Sequence, residues 1–227
     1  MTNQAYHSFL TLNQAVVQCK KCPRLVDHRE GVPKRASYKE ESYWRKPVPG
    51  FGDPNAQIIL LGLAPSAHGG NRTGRIFTGD ESGRFLMHCL YKSGLANQSS
   101  SEYRNDGLKL KNCYMTAAVK CVPPKNKPLK KECLNCQPYW ESEVHLLKNA
   151  KAIVALGRLA FQSFIDFAKA EGFDTKGMEF EHEGKFFFKN FFTLYACYHP
   201  SPQNTYTGKL TESMMVKLFN KIKRDVS

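Results

Sequence analysis

Five cysteines have the types and spacing of a metal centre. Cys19 and Cys22 form one C-x-x-C pair, Cys133 and Cys136 a second, and Cys121 stands between them ahead of a Val-Pro-Pro turn. Paired thiolates suit tetrahedral zinc. Four thiolates at irregular spacing, one beside a proline-rich turn, equally suit an iron–sulfur cluster. Cys89, Cys113 and Cys197 stand alone inside apolar segments and read as small core residues. A second constellation is LLGLAPSAHGGNRTGRIFTGDESG (60–83), a glycine-rich loop after an apolar run. It carries a histidine, two arginines and two carboxylates, but no cysteine and no G-x-S-x-G nucleophile elbow. A third is YHPSPQNTYTGKLT (198–211), which follows another apolar run.

These loops need elements to hold them. Apolar runs at 57–62, 113–119, 152–156 and 192–198 are bounded by turn signals and read as buried strands. Segments 82–95, 132–148, 158–170 and 210–222 have helical spacing. Strand and helix in alternation predict βαβ units, a mainly parallel sheet and helices on both faces. Residues 178–190 predict a small hairpin leading into the last strand, and 24–56 a long wrapping segment. One domain over 1–227 is expected. Ligands of open parallel sheets sit at the carboxyl ends of the strands, so the 62–83 and 198–211 loops should share a cleft.

The formal net charge is +13 over 227 residues, with 41% hydrophobic content. That charge predicts an anionic partner, most often nucleic acid for a basic domain; a solvated basic surface is the alternative. No stretch approaches the roughly 20 apolar residues of a membrane helix. The start, MTNQAYHSFL, lacks the charged and apolar regions of a signal peptide. A cytoplasmic protein with reduced thiols is expected.

Taken in order, CPRLV (22–26), YWRKPVPGFGDP (43–54), GLAPSAHGGNRTGRIFTGDESG (62–83), AVKCVPPKNKP (118–128) and HPSPQNTYTGKLT (199–211) resemble the uracil-DNA glycosylase superfamily. The resemblance is strongest to its family 5, the B-type bacterial and archaeal branch. It implies a three-layer α/β/α sandwich with a short, mainly parallel central sheet, and a [4Fe–4S] cluster on Cys19, Cys22, Cys121 and Cys136. Cys133, one helical turn from Cys136, competes for the fourth position. It also implies a monomer acting on damaged DNA.

Cleaving an N-glycosidic bond dissociatively needs no protein nucleophile. The protein holds the flipped base and stabilises the charges that develop on sugar and base. Family relatives carry Asp or Asn near the start of the first motif; here Ala64 supplies a methyl group. Related family 4 often has Asn where this chain has Ala117. Both departures favour a roomier pocket, as does the small Ser66. Asp80 is suited to stabilising the sugar cation or orienting water, or to capping the next helix. His199 would bond the departing base's carbonyl oxygen, and Phe77 would stack on the base. His68, Asn71 and Asn204 are further base-pocket candidates. Arg72, Arg75, Ser201 and Lys209 suit phosphates, and Tyr206 would wedge into the space the base leaves. These residues point to a repair glycosylase for uracil, hypoxanthine and other damaged bases. The competing reading is a non-catalytic metal-containing nucleic-acid-binding protein.

Overall fold

The structure, a computed structural model, describes residues 7–227. Residues 1–6, part of the start read above for a signal peptide, lie outside the described residues. The strands are β1 (Phe51–Gly52), β2 (Ile58–Gly62), β3 (Cys113–Ala117), β4 (Ala152–Leu156), β5 (Lys185–Phe187) and β6 (Thr193–Cys197). The α-helices are α1 (Phe9–Val17), α2 (Pro23–Gly31), α3 (Gly70–Thr73), α4 (Glu81–Lys92), α5 (Lys130–Leu146), α6 (Arg158–Ala170), α7 (Pro202–Tyr206) and α8 (Glu212–Val226). They surround one six-stranded sheet in the order β1-β3-β2-β4-β6-β5.

The four inner strands are parallel. Almost every residue in them is buried, which is why each reads as a short continuous apolar run rather than an alternating one. Alternate residues point to opposite faces. Ile58, Leu60, Met115 and Val154 pack with Leu86 and Leu90 of α4 and Leu218, Phe219 and Ile222 of α8. Ile59, Leu61, Ile153 and Ala155 pack with Trp140 of α5 and Phe161 and Phe164 of α6. The result is the expected α/β/α sandwich.

The edge strands depart from the sequence expectation. Within 178–190 only β5 forms, and it pairs antiparallel with β6 itself, so the hairpin joins those two strands. The two-residue β1 pairs antiparallel with β3 from inside the wrapping segment. No described helix is long and apolar enough to cross a membrane.

Candidate active site

The carboxyl ends of β2, β4 and β6 open onto a cavity of about 430 Å³. Leu63, Ala64, Ser66, Ile76, Phe77 and Asp80 line it from the loop after β2, Leu156 to Ala160 from the β4–α6 junction, and His199, Ser201 and Pro202 from the loop after β6. The expected shared cleft is present. Its shape depends on bare backbone. A Cβ on Gly69 would collide with the Asp80 carboxylate and the Ser66 hydroxyl. Gly157 has φ +101, and a Cβ there would lie 3.1 Å from Cβ of His199, a double reason for glycine.

Asp80 is both a cavity carboxylate and a helix cap. Its Oδ1 accepts the Gly83 N–H at 2.8 Å, capping α4, while its Oδ2 accepts from the Ser66 hydroxyl. His199 stands across the cavity, and its backbone carbonyl accepts Nδ2 of Asn204 and the Ser201 N–H, both at 2.8 Å. Burial pushes the imidazole below its ordinary pKa, while the negative charge of Asp80 pulls the other way. Among the described residues its ring nitrogens make no hydrogen bond, so they are open to a substrate. The Phe77 ring lies 6.3 Å from that of His199, tilted by 37°. Phe77 is fixed at φ 48, a left-handed backbone rare for an aromatic residue and typical of functional loops.

Other sequence candidates are elsewhere. Asn71 is 1% exposed and donates to the Arg29 carbonyl. It is a buried anchor rather than a base contact. Arg72 and Arg75 are each 3% exposed. Arg72 is paired to Glu41 at 2.5 Å and bonded to the His68 and Gly79 carbonyls. Arg75 is paired to Asp106 at 2.7 Å and bonded to Thr78 and Ser101. Both expected phosphate contacts are corrected here: their charge is spent internally, holding the loop in shape. His68 does not line the cavity, and its Nδ1 bonds the Tyr43 hydroxyl at 3.0 Å. Asn204 donates to the His199 carbonyl and does not itself line the cavity. Tyr206, 77% exposed at the end of α7, and Lys209 just beyond it, its ammonium 4.8 Å above the Tyr198 ring, stand on the surface. Among the cavity residues missed from sequence, two carry an amide or a guanidinium. Asn126 comes from the C-V-P-P-K-N turn with φ 55. Arg158 is exposed at the start of α6 with its guanidinium over Phe180. Asn beside Lys-Pro was the only available signal for the first; nothing local marked the second.

The cysteines gather beneath the cavity. Cys121 and Cys136 are buried with Leu25 and Val119, and Cys22, Cys133 and Ala64 pack against them. Cys19 follows α1, and Cys22 sits at the N-cap of α2. The Lys120 N–H points at Sγ of Cys136 and Nη1 of Arg29 at Sγ of Cys121, both at 3.3 Å; Nδ2 of Asn135 reaches Cys22 at 3.4 Å. Burial pushes the Cys121 thiol to about 11, against the pull of Arg29, and the Cys136 thiol to about 12. Among the described residues, no three His, Cys, Asp or Glu side chains converge on a single ion. The N–H donors aimed at three sulfurs are what ligating thiolates require. Thiol sulfurs with N–H donors beside them make a donor set that fits a thiolate-held group. Cys89, Cys113 and Cys197 are fully buried core residues, as expected.

The family model described as "Uracil DNA glycosylase superfamily" matches residues 49–223. The chain belongs to this superfamily. It is 44% identical to the Type-5 uracil-DNA glycosylase of Thermus thermophilus over 93% of this chain and 95% of the relative. Identity is 42% to the Type-5 enzyme of Pyrobaculum aerophilum, over 92% and 90%. A Type-4 uracil-DNA glycosylase of Sulfurisphaera tokodaii is 30% identical over 65% of this chain and 53% of the relative. The superfamily match takes in every cavity-lining residue, Cys121 and Cys136; Cys19 and Cys22 precede it.

Proposed function

We propose that this chain is a DNA-repair glycosylase that excises uracil from DNA and leaves an abasic site. The observation that carries the reading is the placing of one carboxylate, Asp80, and one unbonded imidazole, His199, around a cavity large enough to take a flipped base. Cleavage leaves positive charge on the sugar and negative charge on the base. Asp80 answers the first charge and orients the attacking water. His199, kept neutral by burial, donates an N–H to the base carbonyl as negative charge grows there. Preorganised groups of this kind need no rearrangement during the reaction. Phe77 offers its ring to the base, and the Asn126 amide offers a donor and an acceptor at the cavity mouth.

The methyl group of Ala64 and the cavity volume favour a site broad enough for hypoxanthine and other damaged bases. Lys209, Ser201 and Tyr206 are assigned to the DNA backbone and the vacated stack. Cys19, Cys22, Cys121 and Cys136 would hold a [4Fe–4S] cluster, which would crosslink α1, α2, the end of β3 and α5 beneath the site. The protein acts as a cytoplasmic monomer on this reading.

Single-turnover cleavage of duplexes carrying uracil or hypoxanthine tests the reading. Abasic sites should form on both, and His199→Ala should slow cleavage by about 10²–10³-fold, the usual effect of removing one preorganised donor. Binding without cleavage by the wild-type protein would favour a non-catalytic nucleic-acid-binding role.

A further inference from the structure

Asp80 can serve the sugar only if its carboxylate is held in one orientation. A carboxylate has about four lone-pair sites. Gly83 takes one on Oδ1 at 2.8 Å, as the cap of α4. A cap alone lets the outer oxygen swing about the last side-chain bond. Oδ2 has its own tether, the Ser66 hydroxyl. The direction of that bond follows from the neighbours. The Gly69 N–H donates to Oγ of Ser66 at 3.0 Å, so the single hydroxyl proton is directed to Asp80. Gly69 itself is so close that no side chain fits between the two groups. Ser66 and Asp80 both line the base cavity.

We propose that Ser66 is a positioning residue for the glycosylase reaction: through Asp80 it fixes the free lone pairs of the carboxylate toward the sugar and its attacking water. This role deepens the sequence expectation, in which Ser66 only made room for the base, and it rests on the glycosylase reading of the same cavity.

The test combines a double-mutant cycle with a structure. Ser66→Ala should slow single-turnover uracil release by roughly ten-fold or more, within the coupling range of contacting residues. Affinity for an undamaged duplex should stay near wild type, and the thermal midpoint should fall only modestly, because the Gly69 N–H loses its acceptor while the Gly83 cap remains. Ser66→Thr, which keeps the hydroxyl, should recover most of the rate. On an Asp80→Ala background, Ser66→Ala should cost nothing further. A crystal structure of Ser66→Ala should show the Asp80 carboxylate turned from its present orientation. Full activity of Ser66→Ala, or losses that add independently of Asp80, would overturn the proposal. An unmoved Asp80 in the crystal would overturn it even if the wild-type protein proved inactive, an outcome that by itself counts against the glycosylase reading.

Discussion

At the residue scale, His199 holds a pH signature that can be read without turnover. Burial lowers its folded pKa, and Asp80 only partly offsets this. The unfolded chain protonates at about 6.5. Neutral His199 therefore contributes stability that is fully present above that value and is lost as pH falls toward the lower folded pKa, because the unfolded state then binds more protons. Between about pH 7 and 5 the thermal midpoint of wild type should fall more steeply than that of His199→Gln. His68 and His182, also lowered by burial, are present in both proteins and cancel in the comparison. Parallel melting curves across this range would contradict the buried, neutral imidazole on which the donor role depends.

At the element scale, α5 gives different surroundings to two cysteines that the sequence spaces alike. Cys136 is buried, takes the Lys120 N–H and turns toward Cys121. Cys133 is half-buried and also lines a separate cavity of about 470 Å³ between α5 and α6. Arg24 of α2 and Glu132 of α5 join these helices at 2.6 Å, with Arg24 partly exposed, so the pair contributes register more than energy. Purified protein should be brown and contain iron, with broad absorption near roughly 400 nm, where thiolate-ligated iron clusters absorb. Cys133→Ser should keep the colour; Cys19→Ser, Cys22→Ser, Cys121→Ser and Cys136→Ser should each bleach the protein or leave it insoluble. Stoichiometric zinc with no iron after anaerobic preparation would exclude the cluster.

At the scale of the whole molecule, a net charge of +13 implies DNA binding that weakens steeply with salt as counterions are released. The arginines of the first loop do not provide it. Removing exposed Lys209 should flatten the log–log salt slope by about one unit and weaken damaged and undamaged duplexes alike. Arg72→Ala should instead lower the thermal midpoint, on the order of 2 kcal/mol, by stranding buried carbonyls that now accept from the guanidinium. A flatter salt slope for Arg72→Ala at unchanged stability would reverse this division of roles.

The inner sheet was legible in the sequence because strands buried on both faces must be continuous apolar runs. The helices flanking it were legible from their periodicity. The motif loops fall at strand ends by the same logic, and Ala64, Ser66, Phe77, Asp80, Ser201 and His199 do meet in one cavity. Edge strands of two and three residues carry too little pattern to be read, and β5 takes its partner from the tertiary arrangement. The fates of Arg72 and Arg75 were decided by Glu41 and Asp106, each 31 residues away along the chain. Local composition cannot show whether a distant carboxylate will arrive to neutralise a guanidinium and permit its burial. The same holds for Asp80: sequence offered catalysis or capping as alternatives, and folding assigns its two oxygens to different partners, one to the helix and one to Ser66 at the cavity wall.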